Sequence, residues 1–593
     1  MKYLKPILVI LTLITVTSAQ YTFDFEKDLK SCNLVFKGDN VQFTKGIKGF
    51  AVRLDPKKEY SQIYLENISL DASKDFTVLF WIKTNSDRPA VFISQKDFKN
   101  KSIGEQKNPG WALYSSGGTL AWCIGSGKRR INYERSNGNK MPIDDGKWHQ
   151  LALTYSQRLT EARLYFDGRN VAIYKVGFDF TNQESLTIGT TEHNLNYRHS
   201  YLPQIMRGAA NLQKYVDSFN QLGAGTVNAD EFISLIVNPE KLYKDKMITK
   251  GKSDIKTSSK KFEKLDKIRK KLYNNPYTVY QNRNLTKIKP VNKIYSLKDN
   301  KIIINDKVAR EFTVNVELHP ADFSIDQLSI HERVLSSNDI MQSYLQYGEV
   351  PKHELNQHLD SIIVGVWNIW HGGIHWTREK DGWDSRQRIV EILEKNNVDI
   401  VLMQETYSSG DFIAAELDYY FATTSDWDYC FQGSNISILS RFPIKDLFVS
   451  AETEFNNLVA KLALGESQEL YAMSNWYGMN AFTAVYNFNQ SRFNESDTIP
   501  VLFGGDFNAV PHTDGGESPA SRILLANGFT DAYRSLHPDV EQYPGYTHQS
   551  GRRIDQLYYK GKDLINRTTE IISEWPGGFP SDHNLIISKF DIK

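Results

Sequence analysis

The chain has 593 residues, longer than one hydrophobic core supports at roughly 100 to 200 residues per domain, so about three folded units are expected. Its 71 Lys plus Arg against 70 Asp plus Glu leave a net charge of +1. That excludes a broad positive field and leaves a nucleic-acid partner open but unsupported by charge. Three cysteines are too few for a disulfide framework and too scattered for a thiolate metal site. A Cys32–Cys123 bridge is one option in the first unit, and Cys430 reads as a lone thiol.

At the N-terminus, Lys2 and Lys5 precede an apolar run that ends in Ser18 and Ala19 before Gln20. The run is shorter than the roughly 20 residues a bilayer span needs, so residues 1–19 read as a signal peptide cleaved after Ala19. A retained anchor is the alternative. The expected mature chain has no transmembrane segment and is secreted, extracellular or periplasmic.

From about 21 to 190, short stretches of strand composition ("FTVLFWIKT", "GTLAWCIG", "WHQLALTY", "EARLYFDGRNVAIYK") are separated by Gly, Asn and Asp. Asp167-Gly168 is a hairpin signal, because both residues tolerate the positive φ of a tight turn. Many strands without helices between them predict an antiparallel sandwich. Residues 191–300 change to helical patterns, followed by strand character at "REFTVNVELH" and "IDQLSIHERVLSSNDI"; a lysine-dense run over 244–272 reads as a solvated face, with a polyanion contact as the sharper alternative. The pieces "SLDASKDFTVLFWIKT", "DDGKWHQLALTY", "RLYFDGRNV", "SLTIG" and "IDQLSIHERVLSSNDI" occur in the order of laminin-G-like or concanavalin-like sandwiches. Residues 20–347 resemble that family, with 191–300 as a helical insertion that the family pattern lacks. The resemblance implies that the last strand returns to a sheet begun far upstream, and that the module binds an extracellular glycan or surface polymer.

After a linker at 348–360 the pattern changes. "SIIVGVWNI" reads as a strand, 386–397 as a helix with Ile389, Ile392 and Leu393 on one side, and 398–405 as another strand. "SNISILSR", "IPVLFGGDFN", the helix-like "SPASRILLANG", "RRIDQLYY" and "SDHNLIISKFDI" follow. The prediction for 361–593 is a four-layered α/β sandwich, two sheets flanked by helices, with functional residues at strand ends.

Those strand ends carry Asn368, Glu405, Asp506 with Asn508, and Asp582 with His583. Each alone is ordinary loop chemistry. Together, oxygen ligands from several strand ends suit a hard divalent cation such as Mg²⁺ or Mn²⁺, with waters and a substrate phosphate completing its shell. Gly504 and Gly505 let the backbone approach or turn without a Cβ, so that Asp506 and Asn508 face one small volume while Phe507 packs away from it.

"WN" at 367–368, "QE" at 404–405, "SRFP" at 440–443, "GGDFN" at 504–508, "RRID" at 552–555 and "SDH" at 581–583 stand in the order typical of the endonuclease/exonuclease/phosphatase family, which residues 361–593 closely resemble. The resemblance implies a phosphate-ester substrate and a divalent cation. It makes Glu405 the main metal ligand, with Asn368 beside it. Asp506 orients or deprotonates the attacking water, Asn508 binds a nonbridging phosphate oxygen, and His583 contacts the phosphate. Asp555 and Asp582 support that imidazole or the metal shell.

One family element is missing. Where a strand between "SRFP" and "GDFN" should end in a His that assists the leaving group, this chain has Asn475 or Trp476, neither of which delivers a proton as imidazole does. Either His371 or His375 of "WNIWHGGIHW" supplies the group, or the metal alone stabilises a good leaving group, or catalysis is reduced or absent. Trp367, Trp370, Trp376 and Trp383 are candidates for stacking on a substrate ring, against ordinary packing. Arg552 and Arg553 are candidate phosphate contacts, although for Arg553, next to its strand, an ordinary salt bridge or surface position is the favoured reading. His548, in no spaced metal pattern, is a candidate substrate contact or a loop cap. The expected function is a secreted metal-dependent phosphoesterase with a glycan- or surface-binding module. A noncatalytic adhesion protein with a degenerate enzyme domain is the alternative.

Overall fold

The computed structural model describes residues 21–26, 34–37, 41–55, 61–86, 90–98, 108–116, 119–126, 130–133, 141–175, 184–189, 296–298, 301–304, 307–311, 321–349, 359–373, 385–406, 409–424, 436–450, 457–465, 467–476, 478–576 and 579–593. The predicted signal peptide, nearly all of the insertion and most of the linker lie outside them. At the end of the predicted helical insertion, Ser296–Lys298 is a strand. It belongs to a three-stranded sheet with Lys301–Ile304 and Lys307–Glu311. Among the described residues no helix is long and apolar enough to cross a membrane.

Two antiparallel layers form the N-terminal part. Phe76, Val78, Phe80 and Ile82 alternate onto the inner face, where they join Trp111, Trp122, Leu151 and Leu153, as the two-residue period of a strand requires. Leu79 points the other way, against Leu335 and Ile340 around the start of the helix Ser337–Leu345. Asp167 and Gly168 have φ of 49° and 75°, so the hairpin turn predicted there is formed. The strand Phe323–His331 pairs with both Phe50–Leu54 and Phe76–Lys83, which closes the sandwich across the long insertion as expected. Cys123 is a buried thiol; Cys32 and Cys430 lie outside the described residues.

In the C-terminal part, the strands Ser361–Asn368, Ile400–Gln404 and Val501–Asp506 are almost wholly buried. Their continuous apolar runs reflect cover on both faces. Val366, Leu402, Leu458, Ala472 and Leu502 share a cluster between two sheets. The helix Ser385–Lys395 brings Ile389, Ile392 and Leu393 to Val401 and Met403. The helices Phe482–Asn494 and Pro519–Ala526 bring Val485, Phe493 and Leu524 to Met473 and Phe503.

The two parts share one sheet. Arg169–Lys175, at the sandwich edge, pairs in parallel with Tyr420–Thr424, register Ala172 to Phe421 and Tyr174 to Thr423. Arg169 fastens the seam: its Nη1 donates to Asp418 Oδ1 at 2.8 Å, its Nη2 to the Asp418 carbonyl at 2.6 Å, and its guanidinium lies over the Tyr420 ring.

A buried ion cluster selects the salt-bridge reading of Arg553 over the phosphate contact. Arg553, offered as a phosphate contact, spends its guanidinium on Asp514 (2.6 and 2.9 Å) and Asp531 (2.9 and 3.2 Å). Asp514 also receives Arg534 at 2.8 and 2.9 Å. Burial alone would raise the Asp514 carboxyl, but Arg553 and Arg534 hold it well below the usual carboxylate range. Removing one partner of a buried pair strands the other charge in a poorly solvating interior. Asp514→Ala is therefore expected to cost about 3–5 kcal/mol, read by denaturant unfolding of the full chain.

His149 offers a second check. Its Nδ1 meets Asp167 Oδ2 at 2.9 Å and its Nε2 meets Asp145 Oδ1 at 3.1 Å. Two carboxylate acceptors require both ring nitrogens to donate, which is the imidazolium. Burial opposes that charge, yet Asp167 and Asp145 raise the pKa above the ordinary 6.5. A raised folded-state pKa gives stabilisation that is full below 6.5 and is withdrawn as pH climbs through the raised value. The melting temperature of the sandwich is expected to fall as pH rises past that point, and His149→Gln to flatten the dependence.

Candidate metal and phosphate centre

Asn368 ends its strand opposite Gln404 in a parallel register, which puts Glu405, the next residue, beside it. The Asn368 Nδ2 donates to Glu405 Oε1 at 3.1 Å and to Asp506 Oδ2 at 3.1 Å. One amide thus spans carboxylates from both sheets. Its Oδ1 accepts from the Trp370 N–H at 3.0 Å, which leaves the NH₂ aimed at the acids.

Asp506 arrives by close packing. A Cβ on Gly504 would stand 2.9 Å from Val366 Cγ2 of the facing sheet, and one on Gly505, at φ 148°, would collide with the Asn475 backbone. Both glycines are needed for the approach. Phe507 is fully buried against Phe503 and Tyr558. Asn508 turns at φ 53° to an exposed position, its N–H donating to Asp506 Oδ1 at 2.9 Å. Glu405 also sits at φ 53°, a left-handed backbone that side chains of this kind rarely adopt.

Asp506 and Asp555 are cross-strand partners, and Asp555 Oδ2 lies 2.8 Å from His583 Nδ1. Burial first, then the Asp555 charge, push Asp506 up to about 7. Burial opposes the charge on His583, but Asp555, Asp506 and Asp582 outweigh it and hold the imidazole up to about 10. Burial likewise raises Asp582.

Two residues outside the sequence expectations, and one read there as a stacking candidate, position this set. Thr547 Oγ1 accepts from the Asp555 N–H at 2.9 Å. Ser581 Oγ donates to the Asn368 carbonyl at 2.7 Å and accepts from the His583 N–H at 3.1 Å. Trp367, a stacking candidate in the sequence, is buried and donates its Nε1–H to the His583 carbonyl at 3.0 Å, so its role is packing. Ser581 sits inside the "SDH" motif and Thr547 inside "YTH", the only local signals that could have marked them.

The donor set fits a divalent cation. Asp582 Oδ1 and Asp555 Oδ1 are buried with no hydrogen-bond partner among the described residues, a state that buried carboxylate oxygens seldom keep without a ligand. Asp506, Asp555 and His583 offer ligand atoms within 4.8 Å of one another. Glu405 adds a carboxylate beside them, steadied by the Asn368 amide.

Other expected residues fare differently. Asn475 is fully buried, its Nδ2 donating to the Gly504 carbonyl at 2.9 Å and its Oδ1 accepting from Asn457 Nδ2 at 2.9 Å. It is a structural amide on the face away from the cleft and not a leaving-group contact. Trp476 pairs in register with Asp506 and is half-buried against the inter-sheet core. His371 lies in the short helix Trp370–Gly373 directly after Asn368, with its side chain outside the description. His375, Trp376 and Trp383 also lie outside the described residues. Arg552 is exposed, its Nε donating to Ser550 Oγ at 3.0 Å, and His548 lies against His583 with ring centroids 4.6 Å apart.

A model of the endonuclease/exonuclease/phosphatase family matches residues 365–583, and one of the concanavalin A-like lectin/glucanases superfamily matches residues 57–202. An uncharacterized protein of Caenorhabditis elegans, F14F9.5, is 20% identical over 303 residues, covering 39% of this chain and 91% of its own. Among solved structures, the human Nocturnin catalytic domain with bound sulfate anion is 20% identical over 40% of this chain and 96% of its own, with a TM-score of 0.33. An endonuclease/exonuclease/phosphatase from Bacteroides vulgatus is 18% identical over 39% and 99%, with a TM-score of 0.31. The chain therefore joins two units, residues 365–583 being a domain of the endonuclease/exonuclease/phosphatase family and residues 57–202 a domain of the concanavalin A-like superfamily.

Proposed function

We propose that the C-terminal domain is a divalent-cation-dependent phosphoesterase that hydrolyses a phosphodiester or phosphomonoester by water attack on phosphorus. The observation that carries this reading is the Asn368 amide holding Glu405 and Asp506 at 3.1 Å each, next to the Asp555–His583 pair. A bound Mg²⁺ or Mn²⁺, held by Glu405 with Asn368 and Asp582 beside it, would supply charge neutralisation on the phosphoryl oxygens. Asp506 orients the attacking water and takes its proton. His583, kept charged by Asp555, donates a hydrogen bond to a phosphate oxygen. Asn508, exposed at the turn, donates to a second such oxygen without adding negative charge. The helices on the outer faces of the two sheets support a four-layered domain that keeps these strand ends in register.

Trp476 favours a second reading. An indole where the family carries an imidazole removes a proton donor from the leaving-group side, so the substrate class is one with a good leaving group, or the domain is a noncatalytic relic in an adhesion protein. We also propose export by the N-terminal segment and glycan or surface binding by the sandwich.

Turnover of a panel of DNA, RNA, sphingomyelin, inositol phosphates and simple phosphomonoesters, with Mg²⁺ or Mn²⁺ and with chelator, separates these readings. Chelator is expected to abolish activity. Glu405→Gln should lower kcat at least about 100-fold, the loss of roughly 3 kcal/mol of charge stabilisation. Glycan binding with no turnover on any substrate would establish the relic.

A further inference from the structure

We propose that the cavity beside His548 is a subsite for the flat, uncharged ring of a nucleobase, which makes the substrate a phosphate ester of a nucleoside. The cavity has a volume of about 680 Å³, and Tyr546, His548, Gln549, His537, Glu570 and Asn584 are among its walls. That size falls inside the roughly 300–1,000 Å³ range of small-molecule sites. It adjoins the phosphate end of the cleft at His548, whose ring stands edge to face with the His583 ring at 4.6 Å.

The backbone turns these side chains toward the cavity. Thr547 is buried, its Oγ1 accepting from the Ile554 and Asp555 N–H groups at 3.0 and 2.9 Å. Its neighbours Tyr546 and His548 therefore face the other way, as alternate residues of an extended chain do. The Ser550 N–H donates to His548 Nδ1 at 3.1 Å, so the neutral ring keeps its proton on Nε2. On another wall, His537 Nε2 donates to the Thr569 carbonyl at 3.0 Å, which ties the loop to the edge strand Leu564–Ile572. Arg534 fixes the loop itself, donating to the carbonyls of His537, Tyr543 and Pro544 at 2.9, 2.6 and 3.1 Å. Gly545, at φ 66°, lies so close to the Tyr533 ring that a Cβ would stand 2.4 Å from it. The walls are thus set before a ligand arrives, which lowers the cost of binding.

The lining selects the ligand class. Of the five exposed large apolar side chains among the described residues, Leu536, Tyr543 and Tyr546 fall in this one loop, with Tyr546 52% exposed; clustered exposure of that kind marks a binding surface. Among the described residues no Lys or Arg lines the cavity, whereas Glu570 does. An inositol polyphosphate finds no cation for its further phosphates, and an anionic lipid surface finds no basic patch. Ile571 is the one aliphatic side chain among the described lining, too little for an acyl chain. Burial, then the His583 charge, hold the His548 imidazole below its ordinary pKa, so that wall also disfavours a cation such as a choline ammonium. The Tyr546 and His548 rings offer stacking faces, and the Gln549 and Asn584 amides suit the donor and acceptor edge of a base. The nucleoside assignment rests on the phosphoesterase reading; the binding of a ring does not.

Full-length chain in chelator is titrated calorimetrically with adenosine 5′-monophosphate, cytidine 5′-monophosphate, ribose 5-phosphate and phosphocholine, and its cosedimentation with sphingomyelin vesicles is measured. Both nucleotides are expected to bind about 10-fold tighter than ribose 5-phosphate, the contribution of one stacked base. Tyr546→Ala should remove that preference and Tyr546→Trp should keep it. Equal or no binding of the nucleotides and ribose 5-phosphate, or an unchanged preference in Tyr546→Ala, overturns the proposal. Tyr546-dependent binding of phosphocholine or vesicles without a nucleotide preference also overturns it, and assigns the exposed rim to a lipid. Metal-dependent turnover in a chain with no base preference would remove the ring site and leave the phosphoesterase reading standing. A Tyr546-dependent base preference in a chain that hydrolyses nothing would remove the phosphoesterase reading and leave the ring site standing.

Discussion

Carboxylate crowding governs the C-terminal domain. Glu405, Asp506, Asp555 and Asp582 come from four separate strand ends, and like charges gathered in a low-dielectric interior repel strongly unless something positive or proton-donating stands among them. The chain supplies two such groups. The Asn368 amide divides its hydrogens between Glu405 and Asp506, and the His583 imidazole lies between Asp555 and the remaining acids. Neither reaches the buried outer oxygens of Asp555 and Asp582. A cation would complete the balance, so the electrostatic problem that the fold must solve is the same one on which the proposed chemistry rests.

The crowding requires close approach, and the backbone bears the strain. Gly504 lies flat against Val366 and Gly505 against Asn475, while Glu405 and Asn508 hold positive φ. Non-glycine residues in that conformation cost of order 1–3 kcal/mol each. The double-sided burial of Ser361–Asn368, Ile400–Gln404 and Val501–Asp506 is large enough to hold them there, because a shift of any one strand would expose apolar side chains on two faces at once.

How much of this was legible follows from sequence distance. Asn368, Glu405, Asp506, Asp555, Asp582 and His583 were readable because each directly follows, precedes or begins a strand that its own apolar run announces. The two readings of Arg553 stay open in the sequence because what decides between them, Asp514 and Asp531, are 39 and 22 residues away, and an arginine beside a site motif looks the same with or without buried partners. Asn475 and Trp476 illustrate a different limit. Adjacent strand residues face opposite ways, and only the hydrogen bonds to Asn457 and Gly504 show which of the two looks away from the cleft. Nothing in the sequence aligns His548 with His583, because that bridge exists only once two distant backbones pair.

The seam between the domains was invisible for the same reason. Arg169–Lys175 reads as an ordinary hairpin strand and Tyr420–Thr424 announces nothing, yet they pair in parallel. An uncovered sheet edge offers unpaired N–H and C=O groups to any other chain, and edges are commonly capped or charged to prevent it. Here each domain caps the other. Ile173 enters the core between the two C-terminal sheets, while Phe421 packs with Tyr174 and the sandwich cluster. The strand that continues the C-terminal domain's sheet beyond Tyr420–Thr424 thus belongs to the sandwich. Its neighbour on the other side, Ile436–Ser440, pairs in turn with the Glu405-bearing strand. A ladder of hydrogen bonds therefore runs from the sandwich to Glu405, with one strand between the seam's C-terminal member and Ile400–Gln404. Separating the domains would leave the Glu405-bearing sheet with a bare edge, so the sandwich is part of the C-terminal domain's own fold as well as a module attached to it.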